Sequence, residues 1–248
     1  MQRHLPHAPW ADPALVRMPG MRPVEGQWIV VDEAYSAQIA LRVQLLRDRR
    51  AAVTASLPGA EPAMAEALEA VIAALPSGFR RDGGAVTCPD GRVVQIGGPP
   101  FDVLAQLVQE DILLLERRDM EHILIAGLLC FPSLWTLGEK IGRPLRRIHR
   151  PVERYDADVA HRVQRLLDRA PPGRAMWRAN AMGYDEPSLH RPMREGASRP
   201  AGPVRYVRSE RQTILRLPRT GAALFAIHVW VVALEDLTPA QREGCPFL

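Results

Sequence analysis

The sequence predicts an α+β fold in which helices pack on an antiparallel β-sheet. Two stretches, 33–53 and 61–75, repeat apolar residues at the spacing of amphipathic helices and predict an N-terminal helical pair. Two β-prone runs, 205–217 and 222–232, are joined by Pro218-Arg219-Thr220-Gly221 and predict a hairpin. The shorter β-prone runs between these elements also come in pairs with tight turns. Because tight turns join antiparallel strands, we expect an antiparallel sheet.

The remaining elements complete this pattern. The sequence predicts a hairpin at 85–96, a helix at 101–108, strands at 111–115 and 122–130, a helix at 156–169, a strand at 175–181 and a long loop at 183–203. Asp32 is expected to cap the first helix. A hairpin, helices and a second hairpin around one sheet are compatible with a PAS-like arrangement. Pattern alone does not select that arrangement over other α+β folds.

The length of the chain fits one domain with short extensions. The 248 residues, 47% of them hydrophobic, are enough to bury a sizeable core. We expect an N-terminal arm over 1–20, one domain over 21–236 and a C-terminal tail over 237–248. The arm is rich in proline, so it either lies on the domain or forms a loose tail.

Composition argues against several classes of function. The net charge is only +4, and no basic run is interleaved with aromatic residues, so nucleic acid is not an expected partner. Cys88, Cys130 and Cys245 form no close pair, which is typical of a reduced, cytoplasmic protein. The longest apolar run, 123–131, is too short to cross a bilayer, so we expect no membrane association. The common nucleotide and zinc-hydrolase motifs are missing. Because the dinucleotide-binding motif is among them, any electrons from NADPH would have to arrive through another protein.

The stretch 130–155 is the most informative part of the sequence. Ser133 is expected to cap a helix whose apolar positions Leu134, Leu137 and Ile141 share one face. Gly142 is well placed to end that helix in a left-handed conformation. Glu139 and Lys140 in this helix most simply form a solvated pair.

His149 follows in a short turn between two prolines. Pro144 can begin the turn, and Pro151 excludes helical geometry at the residue before it. A histidine held this way suits an axial metal ligand, which must point in one direction. Four neighbouring arginines could pair with anionic groups such as propionates: Arg143, Arg146, Arg147 and Arg150. A structural histidine beside a solvated basic face is the alternative.

The first strand of the final hairpin carries polar residues on both of its faces. Alternation places Arg208, Glu210 and Gln212 on one face, with Arg211 and Thr213 on the other. The partner strand is apolar at nearly every position, so these charges are expected to be buried and either paired or used. Either an ion pair between strands or the wall of a polar pocket is compatible with the pattern.

A second polar group, Arg178 and Asn180, interrupts the strand predicted at 175–181. These residues are either polar positions of an edge strand or part of the same pocket. The other histidines show no spacing typical of metal ligands, and His228 is expected to lie in the core or on a sheet face.

Taken together, several segments resemble the family of heme-dependent oxidative N-demethylases, alpha-subunit type. The matching segments, in chain order, are Arg22-Pro23-Val24; Gln27-Trp28; Asp32-Glu33-x-Tyr35; Val108-Gln109-Glu110-Asp111; Cys130-Phe131-Pro132-Ser133 with Trp135; Glu139-Lys140-Ile141-Gly142-x-Pro144-Leu145; Ile148-His149-x-Pro151-Val152; Arg178-Ala179-Asn180; Glu210-Arg211-Gln212-Thr213; and Leu217-Pro218-Arg219-Thr220-Gly221. They extend over about 21–233, most of the chain.

The resemblance implies a PAS-like fold that binds heme b and oxidises a small alkylated amine with O2. It also implies a separate flavin/iron–sulfur reductase subunit as the electron donor. His149 would be the proximal iron ligand. The residues implied in cofactor binding are His149, Arg143, Arg146 and Arg150, and those implied in polarising O2 or holding the cationic amine are Arg178, Asn180, Glu210 and Arg211. Binding of tetrahydrofolate, to trap released formaldehyde, and a homo-oligomeric state are left open.

The sequence departs from the family pattern at two positions. Ala181 stands where an aromatic residue is expected, and Glu153 stands where a proline is expected. Loss of the aromatic ring would widen the pocket or mark a changed substrate. Two other functions stay open, namely a heme-based PAS gas or redox sensor without turnover and an interaction module without cofactor.

Overall fold

The structure is a computed structural model that describes residues 1–16, 18–152, 155–198 and 202–248, so Glu153 lies outside the described residues. The helices are α1 (Pro13–Val16), α2 (Tyr35–Asp48), α3 (Arg50–Val53), α4 (Glu61–Ala73), α5 (Pro100–Leu107), α6 (Leu137–Lys140), α7 (Leu145–Ile148), α8 (Ala157–Arg169) and α9 (Pro239–Arg242). The strands are β1 (Arg22–Pro23), β2 (Thr54–Ser56), β3 (Arg80–Asp82), β4 (Ala85–Thr87), β5 (Val93–Gln95), β6 (Asp111–Arg118), β7 (Glu121–Leu128), β8 (Met176–Tyr184), β9 (Tyr206–Arg216) and β10 (Ala223–Ala233).

The core of the fold is an antiparallel sheet with the strand order β1-β8-β9-β10-β6-β7-β2. The final hairpin is its longest pairing and extends from Ala223 opposite Arg216 to Ala233 opposite Tyr206. Helices and this large antiparallel sheet confirm the predicted α+β class. The PAS-like arrangement stays a prediction.

The hairpin at 85–96 forms as predicted, but it is not part of the main sheet. Strands β4 and β5 pair with β3 in a separate three-stranded sheet. The physical reason is local. The segment after α4 supplies its own strand, β3, and β5 then lies against α5. Val86 and Val94 are buried, so this small sheet joins the common core.

The first predicted helix is divided in two and begins later than expected. Helix α2 ends at Asp48, α3 follows, and the N-cap of α2 is Ala34 rather than Asp32. The carboxylate of Asp32 still accepts a hydrogen bond from Ala34 N at 2.9 Å, but it also binds side chains of the core. Helix α4 follows the prediction and, like α2, packs against α5.

The N-terminal arm lies along an edge of β10. Strand β6 pairs with β10 over Ala223–Ile227. Beyond Ile227, the side chain of Gln2 forms hydrogen bonds with the backbone of β10. It donates to Val229 O at 3.0 Å and accepts from Val231 N at 3.1 Å, as a neighbouring strand would. Leu5 is buried in a second apolar cluster, which lies beside Trp230. Among the described helices, none is long and apolar enough to span a membrane.

The helix predicted from Leu134 to Ile141 is wrong in its first half. Only α6 is helical, and Leu134 is left-handed with φ +59°. Ser133 does not cap a helix, because its hydroxyl bonds that of Tyr184 at 2.5 Å. The amide of Leu134 donates to Arg191 O at 3.0 Å, so a contact with the loop after β8 replaces the first helical turn. Gly142, with φ +73°, ends the helix as predicted.

Candidate functional site

Strands β8 and β9 gather most of the predicted polar site on one face of the sheet. Their register pairs Arg178 with Gln212 and Asn180 with Glu210. Because side chains alternate along a strand, these four residues and Arg208 project to the same side. We call these five residues the polar face. Arg211 projects to the opposite side, so three of the four predicted catalytic residues come together and the fourth does not.

Helix α6, which leads into the turn of His149, covers the same side of the sheet. Gly127 pairs with Leu113, Leu113 pairs with Phe225, and Phe225 pairs with Ile214, which lies two residues beyond Gln212. A Cβ atom added at Gly127 would lie 2.9 Å from Leu137 Cδ1. The absence of a side chain at Gly127 therefore allows α6 to pack closely on this side of the sheet.

Glu210 is held by its neighbours on the polar face. Arg208 Nε donates to Glu210 Oε1 at 3.2 Å, and Gln212 Nε2 donates to Oε2 at 3.4 Å. Arg208 is 0% exposed and also donates to the carbonyl oxygens of Leu189 and Phe131. The ion pair thus exists, but it joins two residues of one strand rather than two strands. The hydrogen bond from Arg208 to Leu189 O also connects the loop after β8 to the sheet.

Two polar atoms of the polar face are left without a partner. Among the described residues, no hydrogen-bond partner reaches the buried Nε of Arg178 or the buried Oδ1 of Asn180. Burial lowers the pKa of Arg178, and the charge of Glu210 opposes that effect. Buried polar groups are normally paired. An unpaired donor and an unpaired acceptor two residues apart on β8 leave room for water or a bound molecule to form the missing hydrogen bonds.

The tautomer and orientation of His149 are fixed by local contacts and are compatible with a metal ligand. It follows α7, and its Nδ1 lies 2.9 Å from Leu145 O. A carbonyl oxygen only accepts, so Nδ1 carries the hydrogen and the lone pair lies on Nε2. Tyr155 stacks on the ring with a centroid distance of 4.2 Å. Burial lowers the pKa of His149, which favours the neutral, ligating form.

A buried lysine and a loop glutamate hold this turn in place. Lys140 Nζ donates to Ile148 O at 3.0 Å and lies 3.3 Å from Glu195 Oε2. Arg147 also bonds Glu195, at 2.9 Å. The expected solvated pair of Glu139 and Lys140 is therefore wrong, because Lys140 is buried and its carboxylate partner lies in a loop 55 residues away. No local pattern in the sequence could have identified that contact.

The three arginines predicted to bind the cofactor lie on the surface around His149. Arg143, Arg146 and Arg150 are all exposed. Arg150 lies 3.4 Å from Glu195 Oε1, an exposed contact of small energetic value. Their role toward a cofactor stays a prediction.

The opposite side of the sheet, where Arg211 projects, is covered by the N-terminal arm. The guanidinium of Arg211 lies 4.9 Å from the centroid of the Trp177 ring. His7 of the arm packs against Trp177 at 5.6 Å and Trp230 at 5.2 Å. We call the residues Arg211, Trp177, Trp230, His7 and His228 the arm face.

Ala181 belongs to the arm side as well. It pairs with Ser209, one position away from the Asn180–Glu210 pair, and it packs on the cluster that contains Leu5 and Trp230. The small side chain at this position therefore does not widen the polar face. A widened pocket had been one expectation for this departure from the family pattern.

His228 lies in the core, as expected, but its two carboxylate partners were not foreseen. Its ring nitrogens lie 3.1 Å from Glu110 Oε1 and 3.1 Å from Asp32 Oδ2. Burial alone would lower the pKa of His228, but the hydrogen bonds that its ring donates to these carboxylates raise it. Burial alone would likewise raise the pKa of Asp32, whereas His228, Gln109 and Gln2 lower it to about 2.

His190 is a further residue that sequence spacing did not single out. Its Nδ1 lies 2.8 Å from Cys130 O, so Nδ1 carries the hydrogen and Nε2 the lone pair. In the described part of the chain, this buried Nε2 has no hydrogen-bond partner. Only the fold of the loop after β8 brings His190 to the end of β7.

Comparison with known families identifies the family of the chain. The described residues contain no group of three or more His, Cys, Asp or Glu side chains placed to hold a metal ion by themselves. A family described as "Haem-dependent oxidative N-demethylase, alpha subunit-like" matches residues 21–245 of the 248. This match covers nearly the whole chain and includes His149 and all five residues of the polar face. The chain therefore belongs to the family of heme-dependent oxidative N-demethylase alpha-subunit-like proteins.

Proposed function

We propose that this chain is the heme-binding subunit of an oxidative N-demethylase that acts on a small alkylated amine. The observation that carries the proposal is the pair of unpaired buried atoms, Arg178 Nε and Asn180 Oδ1, beside the carboxylate of Glu210. In the overall reaction, an N-methyl amine, one O2, two electrons and two protons would give the amine with N–H in place of N–CH3, one formaldehyde and one water. Family membership supports the heme dependence.

His149 would hold the iron of heme b. The residue fits this role because its Nδ1–H is bound to Leu145 O, which leaves the Nε2 lone pair for the metal. The exposed side chains of Arg143, Arg146 and Arg150 would pair with the propionates. Bound heme would supply the activation of O2 that side chains cannot provide.

The polar face would hold and orient the amine. Glu210 is kept in one orientation by Arg208 and Gln212, and its negative charge suits an ammonium group. Asn180 Oδ1 would accept a hydrogen bond from the amine nitrogen. Arg178 would donate hydrogen bonds to negative charge in the same space. Arg211 faces the other side of the sheet, and its predicted catalytic role stays untested.

The electrons would come from a separate flavin/iron–sulfur reductase subunit. The family description refers to an alpha subunit, which supports an assembly of more than one kind of subunit. We place this assembly in the cytoplasm, on the basis of its cysteine usage. Trapping of the formaldehyde by tetrahydrofolate is a further part of the proposal, as is self-association of the chain.

The test is the visible spectrum of the protein expressed with a supply of heme. We expect a Soret band in the wild-type protein and a lost or strongly shifted band in His149→Ala. His161→Ala is the matched control, because His161 is exposed on α8. A wild-type protein without a Soret band would overturn the proposal, and an unchanged band in His149→Ala would overturn the assignment of the ligand. Amine-dependent NADPH consumption with a reductase then separates an enzyme from a gas or redox sensor.

A further inference from the structure

We propose that the polar face binds an amine that also carries a carboxylate, so that the substrate class is that of N-methylated amino acids. This inference rests on the proposed function and makes it more specific. A simple alkylamine brings one positive charge and no negative charge to the site. The charges and hydrogen-bonding groups of the polar face match a molecule that brings both.

The polar face contains more positive than negative side chains. Two guanidinium groups of the polar face, Arg178 and Arg208, face a single carboxylate, Glu210. Glu210 is already bonded by Arg208 and Gln212. In the part of the chain that the structure describes, Arg178 forms neither a salt bridge nor a side-chain hydrogen bond. Arg178 is only half-buried, but its Nε is removed from water without a partner, so a bound anion at Arg178 would supply the missing hydrogen bond.

Arg178 and Asn180 are close enough for one small ligand to contact both. Asn180 lies two residues after Arg178 on β8, about 7 Å away between Cα atoms, and both side chains project to the same side. Arginine binds a carboxylate through two parallel hydrogen bonds. An amide oxygen accepts from an N–H group. The carboxylate and the ammonium group of an amino acid are close neighbours, so one small ligand can reach both side chains.

Apolar side chains border the polar face. Met176, Met182, Phe225 and Ile214 belong to the same side of the sheet as the polar face. Three of these side chains, those of Met176, Met182 and Phe225, are half-buried. They provide an apolar boundary of the kind that an N-methyl group would contact, with a few convergent polar groups for orientation.

A heme propionate is the other possible source of a carboxylate at Arg178. It has the same chemistry as a substrate carboxylate, and experiment can separate the two. A propionate at Arg178 predicts that loss of the guanidinium weakens heme retention. A substrate carboxylate predicts that heme retention is unchanged and that discrimination between amines is lost.

The experiment measures the dissociation constants of three probes for the heme-loaded protein by calorimetry. The probes are dimethylamine, N-methylglycine and N-methylglycinamide, which lacks the negative charge. For the wild-type protein we expect N-methylglycine to bind about tenfold to hundredfold more tightly than the other two, the range for a charge-assisted interaction. This comparison among ligands does not depend on any variant.

Variants then assign the preference to one side chain. Arg178→Met should remove the preference for N-methylglycine while binding dimethylamine at least as tightly as the wild type, because a repelling positive charge is gone. Arg178→Lys should keep part of the preference, since it retains the charge but not the two parallel hydrogen bonds. Arg174→Met is the matched control, because Arg174 is exposed in the loop before β8.

Each outcome supports or overturns the inference. A wild-type protein that has a Soret band and oxidises dimethylamine, but binds all three probes equally, overturns this inference and leaves the proposed function intact. Weaker heme retention in Arg178→Met, with the preference for N-methylglycine unchanged, assigns Arg178 to a propionate and also overturns it. A protein without a Soret band contradicts the proposed function, whatever the probes show.

Discussion

The polar face and the arm face lie on opposite sides of the same sheet. They differ in how the charges of their side chains are paired. On the arm face, His228 lies between Asp32 and Glu110, each 3.1 Å away, and Arg211 lies against Trp177. Two acidic groups thus stand beside two basic groups. On the polar face, two arginines share one carboxylate. The basic groups of the arm face therefore have as many acidic neighbours, although Arg211 Nε and Glu110 Oε2 are buried there without hydrogen-bond partners among the described residues, whereas the polar face has one more guanidinium group than carboxylates.

The two sides also differ in what covers them. The N-terminal arm closes the arm face with His7, which packs between two tryptophan rings. The side chains themselves are half-buried on both sides: Arg178, Asn180 and Gln212 on the polar face, and Arg211, Trp177 and His7 on the arm face. A buried charge that the chain itself satisfies is a structural feature. We expect Arg211, which lies against the ring of Trp177, to act as a structural group and Arg178 to act as a binding group, and substitutions on the two sides should show this difference.

The largest effect is expected at Arg208, the structural member of the polar face. Arg208→Met would leave Glu210 buried without its charged partner and would free the carbonyl oxygens of Phe131 and Leu189. Breaking a buried pair in this way costs about 3–5 kcal/mol of the free energy of unfolding. Chemical denaturation of the purified protein measures it.

The double variant Arg208→Met with Glu210→Met is the control for that result. It removes the stranded carboxylate and should recover part of the lost stability. A loss below about 1 kcal/mol in Arg208→Met would place the pair in the class of exposed ion pairs and contradict its structural role.

A smaller effect, dependent on pH, is expected on the arm face. Burial, with the nearby charges of Arg211 and His228, lowers the pKa of His7 to about 4. An unfolded or detached arm binds a proton near pH 6.5, so the docked arm is stabilised above that pH and loses this stabilisation as the pH falls toward 4. The shift corresponds to about 3 kcal/mol for docking of the arm.

Hydrogen exchange of residues 1–16 and tryptophan fluorescence, followed from pH 7 to pH 4, measure this release. His7→Leu should dock at both pH values, because it has no proton to gain. His4→Ala is the matched control, since the side chain of His4 is 85% exposed. Release that is identical in His7→Leu would assign the transition to another titratable group on this side, such as His228 or Asp32.

Features that depend on local sequence alone were predicted correctly on both sides of the sheet. Strand alternation alone assigned Glu210 and Arg211 to opposite sides, because a period of two needs no tertiary information. The turn before His149 was predictable because Pro144 and Gly142 act locally. Two of the failures have a non-local cause. The loop after β8 binds the amide of Leu134 and the ammonium of Lys140, and both contacts override what the local sequence favours.

The smallest and most discriminating prediction concerns Arg178 and Arg211, which project to opposite sides of the sheet and have no ion-pair partner among the described residues. Arg178→Met should leave the free energy of unfolding unchanged or raise it by about 1 kcal/mol, because the burial of Arg178 is opposed only by the charge of Glu210, a carboxylate already bonded by Arg208 and Gln212. Arg211→Met should lower it by about 1 kcal/mol, because Arg211 gains from the ring of Trp177 and from the charge of Glu110. Thermal and chemical denaturation of both variants, measured without added ligand, test the difference in sign. If Arg178→Met were the more destabilised of the two, its guanidinium would have a partner within the chain, and the polar face would be structural like the arm face.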